Sequence, residues 1–548
     1  MKILEKQPES YDEEFYKLFP DSKKIYEIIN EKIEGKGRVL EIGCGTGQLA
    51  VQLAKKGLDV ITVDVSPEMI TYAMGNAEKA EVKIHFIEGD FTSFKIFEYL
   101  VKLGPFDVIV STFVLSEFTP LRQQLFIKQI SQLLSETGKL YISADTYPSS
   151  FLHRIRFSAK RFINSQLTIF RNVAITNPIK NFEEKLADFF SLELLFAKKS
   201  IKFFQCSIKR HQKYDIKSET QLKSILGRFT RLKVAWCILN GIFTRKQIQP
   251  GLFRIGTPTK KSPLLVTGNY YWTVHSVFNS LVKQKLNCYL LIIDSKGINV
   301  WCAAGGAHFT HSQVIDALRL FDAHLIVEHK NLILPQLSAT GVDHKELKKF
   351  GWKSEFGPVY IENLRDYLKD NTKQINQAIV RFDFLYRTIM GIQHTFFILI
   401  VSFLPLCVIT ALLALLGISG GLFWFNVLLQ LALICCGISM LLAWIYPIFN
   451  FTGSFFKKGV IFGIMNVIIT FTYLVSQYSR FHLGSMIFWI ILIFFTTMAI
   501  TLDFAGSTPY TNHLDVESDL ILFSIPALIL CLAILIIPIA LPPIAYLF

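Results

Sequence analysis

The C-terminal part of the chain is almost entirely apolar from about residue 395 onward. This block contains five separate runs, which are Phe396–Leu416, Leu422–Tyr446, Gly459–Ser476, Ser485–Leu502 and Leu520–Leu541. Each run has about 18 to 25 residues, enough for an α-helix to cross a hydrocarbon core of roughly 30 Å. The pattern therefore predicts an all-α membrane domain, built as a bundle of five transmembrane helices.

Basic residues beside these runs predict the orientation of the membrane domain. Arg381 and Arg387 precede the first run, and Lys457 and Lys458 lie between the second and the third. Arg480 is a single opposing residue. Because cytoplasmic loops carry an excess of lysine and arginine, we expect a multi-pass protein of the cell membrane that contacts the lipid bilayer. Its soluble domains would be cytoplasmic and its C-terminus would lie outside.

Composition narrows the class of partners. Of the 548 residues, 51% are hydrophobic, and the formal net charge is +14. A membrane protein with basic cytoplasmic parts accounts for this charge, so no nucleic-acid partner is expected. The nine cysteines are scattered and include no CxxC pair. This spacing argues against a disulfide framework, a zinc finger and a ferredoxin-type cluster. The polar segment 1–10 does not have the pattern of a signal peptide.

The more polar part of the chain alternates strand-like apolar runs with amphipathic stretches, which predicts an α/β architecture. We predict a first domain over 1–211 and a polar linker over 212–224. A second α/β domain is expected over 225–375, followed by the membrane domain over 376–548.

A glycine-rich turn follows the first predicted strand. The peptide RVLEIGCGTG places glycines at 43, 45 and 47, where the backbone can turn tightly and approach a ligand. The next strand ends in Asp64, and a third ends in the polar tip that contains Asp90. Ligands of open α/β sheets bind outside the carboxyl ends of the strands. These side chains are therefore expected to converge on one crevice.

These motifs carry a resemblance. VLEIGCGTGQLA, VDVSPEMI, EGD and FDVIVSTFVLSEF, within about residues 35–145, resemble class I S-adenosylmethionine-dependent methyltransferases. The resemblance implies a Rossmann-like fold, with Ser191–Ala197 and Ser200–Lys209 as its closing strand pair. It also implies a cofactor site for S-adenosyl-L-methionine formed by Glu41, Gly43, Gly45, Gly47, Asp64 and Asp90. In that site Gly43 and Gly45 would flank the methionine part, Asp64 would bind the ribose hydroxyls, and Asp90 would lie near the adenine.

An additional stretch between residues 147 and 178 alternates apolar and basic side chains. One interpretation is a basic amphipathic helix that lies on anionic lipid. The other is a substrate lid that packs on the sheet. The sequence does not decide between them.

The second domain contains a cysteine in a run of small residues. Cys302 follows Trp301 and precedes Ala-Ala-Gly-Gly, so little bulk lies beside the thiol in the sequence. A lone cysteine is usually a buried small hydrophobe. The flanking glycines favour instead a sulfur that a large, flat ligand approaches.

The peptide NVWCAAG resembles the signature of the mercury-methylating corrinoid protein, and the resemblance covers about residues 225–548. It implies a corrinoid-binding fold and a corrinoid (cobalamin) cofactor, with Cys302 as the catalytic residue and lower axial ligand of cobalt. Asn299 and Trp301 would belong to the helix that caps the corrin. Thr267, Gly268 and Asn269, at a strand end, would line the pocket. A ferredoxin-like iron–sulfur protein is expected as the reductant.

One departure leaves the methyl acceptor open. The lysine that follows AAG in the family is Gly306 here. The leading hypothesis is transfer of a cobalt-bound methyl group to a soft metal, Hg(II), in a protein fused to a methyltransferase module. One alternative is another acceptor, such as arsenic or selenium. A further alternative is a membrane-anchored S-adenosylmethionine-dependent enzyme with a degenerate corrinoid domain, and a transporter ranks last.

Overall fold

A computed structural model provides the architecture of the chain. It describes residues 8–18, 21–147, 178–209, 216–227, 246–370, 377–378, 380, 383–398, 408, 411, 415, 436–438, 440–445, 455–477, 490–491, 493–495, 497–498 and 500–501. The chain divides into two compact units. The first comprises Met1–Asp215 with Leu318–Ala323, and the second comprises Ile216–Ala317 with His324–Phe548. The stretch 148–177, for which a membrane-surface helix or a lid was expected, lies outside the described residues.

The first unit is built on a seven-stranded sheet with the order β3-β2-β1-β4-β5-β7-β6. Its strands are β1 Arg38–Ile42, β2 Asp59–Asp64, β3 His85–Glu88, β4 Phe106–Thr112, β5 Leu134–Asp145, β6 Phe190–Lys198 and β7 Ile201–Ile208. Strands β1 to β5 pair in parallel, whereas β7 pairs antiparallel with both β5 and β6. The expected closing strand pair is thereby confirmed, and the parallel part is the doubly wound arrangement of a Rossmann-like fold.

Helices cover both faces of this sheet. They span Pro8–Leu18, Ser22–Lys32, Gln48–Lys55, Pro67–Lys79, Phe94–Leu103, Pro120–Leu133 and Phe182–Ala187, with a 3-10 turn at Leu115–Glu117. The inner strands β1 and β2 are buried along most of their length and are rich in Val, Leu and Ile, as expected for strands covered on both faces. One core joins Leu40 and Ile109 to the helix Pro120–Leu133, and the other joins Val39 and Val110 to the N-terminal helices.

The second unit contains a five-stranded sheet with the order β12-β11-β9-β10-β8. Its strands are β8 Gly251–Ile255, β9 Leu264–Gly268, β10 Cys288–Ile293, β11 Asn331–Leu334 and β12 Lys353–Phe356. Strands β9 to β12 are parallel, and β8 pairs antiparallel with β10. This confirms an α/β arrangement in the second unit, in which the carboxyl ends of four strands meet at one edge.

The helices of the second unit span Glu219–Leu226, Tyr271–Lys283, Val300–Gly305, His311–Leu320, Ala323–Ile326, His344–Lys349, Leu364–Asp370, Phe384–Ile398 and Phe455–Gln477. Of these, Leu318–Leu320 and Ala323 are assigned to the first unit. Short 3-10 turns lie at Gln336–Ser338 and Ile361–Asn363. The helix Glu219–Leu226, part of which falls in the expected linker, buries Leu222 and Leu226 in the core of the second unit.

The described residues do not show the expected membrane domain. Among the described residues, no helix combines the length and the apolar character that crossing a bilayer requires. The helix Phe384–Ile398 has 15 described residues, about 22 Å, and residues 399–407 lie outside the described part of the chain. The helix Phe455–Gln477 has 23 residues and begins before the predicted third run, and its Asn466 donates a hydrogen bond to Thr497 Oγ1 at 3.0 Å.

This finding contradicts both the five-helix transmembrane bundle and the multi-pass membrane location with an external C-terminus. Runs of apolar residues do not by themselves distinguish a membrane span from another apolar segment, because length, polar interruptions and helix continuity also matter. The run Leu520–Leu541 and much of the other runs lie outside the described residues.

Candidate functional site

The first unit contains a cavity of about 270 Å³ at the carboxyl edge of β1, β2 and β4. The predicted cofactor residues that line it are Glu41, Gly43, Gly45, Asp64 and Asp90. The structure thus brings together five of the six side chains and glycines that the sequence motifs singled out. They sit where ligands of an open parallel sheet bind.

Gly43 and Gly45 form the floor of this cavity. Both adopt left-handed backbone conformations, with φ of 76° and 54°. A Cβ on Gly43 would lie 2.2 Å from Val114 Cγ2. The backbone N–H of Gly45 donates a hydrogen bond to Asp64 Oδ2 at 2.9 Å. The turn therefore depends on glycine at position 43, and it is fastened to the end of the neighbouring strand.

Gly47 is placed differently from the other motif glycines. It precedes the helix Gln48–Lys55 and does not line the cavity. A Cβ there would lie 2.8 Å from Ala73 Cβ. Glycine at position 47 therefore allows two helices to pack closely, and it is not part of the cavity lining.

Asp64 ends β2 at the mouth of the cavity. Its carboxylate accepts hydrogen bonds from the backbone N–H of Gly45 and, at 3.0 Å, of Ser66. Burial raises the pKa of this carboxyl above its usual value, and the backbone N–H groups oppose that rise. The two backbone bonds fix the orientation of the carboxylate, so its polar edge is presented to the cavity in one position.

Asp90 also lines the cavity and is held by two partners. Its Oδ1 accepts bonds from the backbone N–H and hydroxyl of Thr92 at 2.8 and 2.7 Å, and its Oδ2 pairs with Arg122 at 3.2 Å. These contacts fix the carboxylate in place beside the predicted cofactor residues.

Glu41 lies at the base of the cavity and is 3% exposed. Its Oε2 atom is buried and has no hydrogen-bond partner within the described part of the chain. Burial, aided by the nearby Asp64, raises the pKa of this carboxyl to about 8. An orphaned acceptor beside a glycine floor is what a cationic or N–H-bearing ligand would satisfy. The residues present therefore fit S-adenosyl-L-methionine.

Glu41→Gln is expected to remove a pH dependence of stability. Between the ordinary pKa of 4.5 and the folded value of about 8, the folded protein retains a proton that the unfolded chain has lost. The contribution of Glu41 to the free energy of unfolding should therefore be fully present below about pH 4.5. It should fall by about 1.4 kcal/mol per pH unit up to about pH 8. Calorimetry of wild type and variant across this range measures the slope.

Glu31→Gln, on an exposed helix position, is the matched control and should keep the wild-type slope. If the Glu41→Gln variant kept it as well, Glu41 would not be the group that holds the proton.

The N-terminal helix supplies residues that sequence motifs missed. Tyr11, Asp12, Phe15 and Tyr16 of the helix Pro8–Leu18 line the same cavity. Asp12 accepts hydrogen bonds from Thr46 Oγ1 at 2.9 Å and from Gln48 Nε2 at 2.7 Å. The i and i+4 spacing of Tyr11 and Phe15 marks an apolar helix face. Nothing in the sequence says which surface that face covers.

The second unit has its own cavity, of about 600 Å³, at the carboxyl ends of β9 to β12. Four of the predicted corrinoid-site residues line it: Thr267, Asn299, Trp301 and Cys302. Cys302 and Trp301 are both partly exposed. By contrast Cys288, in the same unit, is fully buried, and burial raises its thiol pKa to about 12. The accessible sulfur at this edge is that of Cys302.

Asn299 determines where Cys302 lies. It is the N-cap of the short helix Val300–Gly305, and its Oδ1 accepts the backbone N–H of Cys302 at 2.9 Å. An N-cap of this type satisfies an otherwise unpaired helix donor. The first turn, and with it the thiol, is therefore anchored by a side chain that also lines the cavity.

Asn299→Ala should loosen this turn by about 1 kcal/mol. The Cys302 amide is then expected to exchange with deuterium about 5-fold faster, since 1 kcal/mol of opening free energy has that effect. Hydrogen–deuterium exchange resolved to the peptide that contains Val300–Gly305 measures it. Asn299→Asp keeps an acceptor of equal quality and serves as the control. Equal exchange in wild type and Asn299→Ala would show that the cap does not hold the helix.

Gly268 and Asn269 do not line the cavity; they contact the loop that leads to it. Asn269 is 1% exposed, and its Oδ1 accepts the backbone N–H groups of Ser295 and Gly297 at 3.0 and 2.9 Å. Its Nδ2 donates to Asp294 Oδ1 at 3.1 Å. A Cβ on Gly268 would lie 2.7 Å from Ser295 Oγ. Both residues fix the 294–297 loop that leads to Asn299.

The two alanines after Cys302 are packed, whereas Gly305 has open space beside it and Gly306 is exposed. Ala303 and Ala304 are buried, and a Cβ on Gly341 would lie 3.0 Å from Ala304 Cα and 2.2 Å from Phe309 O. The loop after β11 therefore rests directly on the helix Val300–Gly305. This contact involves Ala304 and not the cavity side of the helix, where Cys302 lies, so the approach of a flat ligand to the sulfur stays a prediction.

Residues beyond the expected end of the second domain also line this cavity. Val380 does so, together with Met390 and Gln393 of the helix Phe384–Ile398. This segment was predicted to lead into a membrane span, so its residues were not expected at the cavity. His308 and His311 follow the cysteine helix. No group of three or more His, Cys, Asp or Glu side chains in the described ranges is placed to hold a metal ion.

Comparison with known families identifies the first unit. Residues 39–138 match the family model described as a methyltransferase domain. The chain contains a methyltransferase domain. Solved structures with similarity include a protein of Pyrococcus horikoshii, 18% identical, covering 36% of this chain and 99% of that one, with a TM-score of 0.28. Another is a SAM-dependent methyltransferase of Aquifex aeolicus, 16% identical, covering 34% and 89%, with a TM-score of 0.25.

The second unit matches a different family. Residues 232–368 match the model of the CO dehydrogenase/acetyl-CoA synthase delta subunit. Similar curated proteins are subunits gamma of the acetyl-CoA decarbonylase/synthase complex. That of Methanopyrus kandleri is 32% identical over 24% of this chain and 29% of its own length. That of Methanosarcina acetivorans is 29% identical over 23% and 28%. The chain spans less than a third of the length of these relatives.

Proposed function

We propose that the methyltransferase domain is joined to a corrinoid-dependent methyl-transfer module in the second unit. The observation that carries this proposal is the partly exposed sulfur of Cys302, which lines a cavity of about 600 Å³ at the strand ends. The match of residues 232–368 to an acetyl-CoA synthase subunit supports it. So does the resemblance of NVWCAAG to a corrinoid signature.

The residues of the second cavity fit a corrinoid. Cys302 would ligate its cobalt, because a thiolate is a soft and strongly donating ligand. Trp301 and Thr267 would contact the ring, and Asn299 would keep the sulfur in place through the N-cap bond to the Cys302 backbone. When bound, the corrinoid supplies a methyl group that a thiophilic metal can accept. Ligation requires loss of the thiol proton, which solvent can accept at this half-exposed position.

The residues of the first cavity fit S-adenosyl-L-methionine, which supplies a methyl group as an electrophile when it is bound. Asp64 would accept hydrogen bonds from the ribose hydroxyls, and Glu41 would offer its unpartnered oxygen to the amino group. The floor of Gly43 and Gly45 would let the backbone approach the ligand closely. These assignments orient the cofactor, and orientation accounts for much of the rate in transfers of this kind.

We propose Hg(II) as the methyl acceptor, with arsenic or selenium species as the alternatives raised by Gly306. We also propose an iron–sulfur protein of the ferredoxin type as partner. S-adenosyl-L-methionine would supply the methyl group as an electrophile, and only a reduced corrinoid would accept it. An electron donor would therefore be needed. The nine cysteines of the chain include no CxxC pair for a cluster of its own.

The test is a single-turnover assay on the full chain. The protein is loaded with methylcobalamin in the absence of oxygen, unbound corrinoid is removed, and Hg(II), arsenite or selenite is added. Methylmercury above that formed by free methylcobalamin supports the proposal. Methylation of arsenite or selenite alone would replace the acceptor, and no retained corrinoid would leave only the methyltransferase domain as the active part.

A further inference from the structure

The described lining of the cavity of about 600 Å³ consists of neutral groups. None of its described lining residues is Asp, Glu, Lys, Arg or His. Its walls are mainly aliphatic, as at Leu265, Val277 and Ile333. Its polar side chains are hydroxyls, carboxamides and one thiol, contributed by Thr267, Tyr270, Thr273, Asn299, Cys302, Gln336, Tyr360 and Gln393.

Carboxylates near this edge of the sheet do not reach the cavity. Asp294, at the end of β10, accepts Asn269 Nδ2 and the backbone N–H of Lys296. Glu355 on β12 accepts the hydroxyl of Tyr367 at 3.0 Å. Neither carboxylate is among the lining residues. These two carboxylates are therefore engaged in bonds outside the described lining of the cavity.

We infer that this cavity selects corrinoids whose peripheral side chains are neutral amides and rejects those that carry carboxylates. The inference rests on the proposed corrinoid function and names the ligand class of that site. A buried carboxylate without a cationic partner is strongly disfavoured. A carboxamide of the same shape can exchange hydrogen bonds with hydroxyls and amides such as those of Thr267 and Gln336. Discrimination therefore follows from charge rather than shape.

The experiment compares two corrin rings that differ in these groups. The full chain is titrated with aquacobinamide, which carries amides, and with aquacobyrinic acid, which carries carboxylates. Visible absorbance and equilibrium dialysis follow binding. At neutral pH cobinamide is expected to bind about 100-fold more tightly. The gap should shrink as the pH falls and the ligand carboxylates take up protons.

A charge-insertion variant gives an independent test. Gln393→Lys places a cation in the cavity wall and should improve binding of cobyrinic acid by at least about 10-fold. Ile392→Lys is the matched control, because Ile392 lies on the same helix, is 40% exposed and does not line the cavity. It should leave both affinities unchanged.

Two outcomes are distinguishable. Equal binding of both rings to the wild type, or equal effects of the two lysine variants, would overturn charge selection while leaving the corrinoid site intact. Binding of neither ring would instead overturn the proposed function on which the inference rests.

Discussion

Cys302→Ala should lower the rate at which methylcobalamin-loaded protein forms methylmercury from Hg(II) by about 100-fold or more. The reason is positional as well as chemical. The Cys302 sulfur lines the cavity, and the Asn299 cap fixes the turn that carries it. Alanine keeps the helix Val300–Gly305 but removes the soft donor. The visible absorbance of bound corrinoid should change in parallel, which reports the ligand independently of turnover.

Two control variants accompany this prediction, one at another cysteine and one at Cys302 itself. Cys436→Ala removes another partly exposed thiol, one that does not line the cavity, and should leave the rate unchanged. Cys302→Ser keeps the size of the side chain while replacing a soft donor by a hard one, so it guards against loss of folding as the explanation. Wild-type rates in both Cys302 variants would disprove the assigned role of this sulfur.

Asp64→Asn is expected to weaken binding of S-adenosyl-L-methionine by about 10- to 100-fold. The carboxylate at the end of β2 accepts the backbone N–H groups of Gly45 and Ser66, and so lies fixed at the cavity mouth. The amide retains one oxygen acceptor but presents N–H donors where the ribose hydroxyls would donate. Isothermal titration calorimetry with the cofactor measures the loss.

Asp59→Asn tests the same substitution at the other end of β2. Asp59 is exposed and pairs with Arg38 at 2.9 Å, away from the cavity. Because exposed ion pairs contribute little, its cofactor affinity should match that of the wild type. If both variants bound equally well, the ribose-binding assignment of Asp64 would be wrong.

Local motifs predicted much of both sites because parallel strands deliver their carboxyl ends to one edge. Gly43, Gly45 and Asp64 could be placed together from the ends of two neighbouring strands, and Cys302 from a signature peptide. Asn269 could not be assigned correctly from the sequence. A polar residue at a strand end can point into a pocket or, as here, bind the backbone of the next loop.

Other contacts could not be predicted from any local sequence pattern. Tyr11 and Asp12 meet residues that follow by more than 30 positions, and Met390 lines a cavity formed by strands far earlier in the chain. Such pairings depend on how complete elements pack. The apolar C-terminal runs show the opposite error, since their length and apolar character predicted a membrane domain that the described helices do not support.

The contact between Gly341 and Ala304 joins two peptides that are far apart in the sequence, so we expect their substitutions to be coupled during evolution. A side chain at 341 would strike the carbonyl oxygen of Phe309 and the backbone of Ala304. The space between Gly341 and Ala304 is too small for a larger side chain at either position unless the other also changes. Homologous chains that keep a ligating cysteine in this helix should therefore keep glycine after the β11 turn. Those that have lost glycine should also show an altered cysteine peptide. This paired signature would separate working copies from decayed ones in sequence data without any assay.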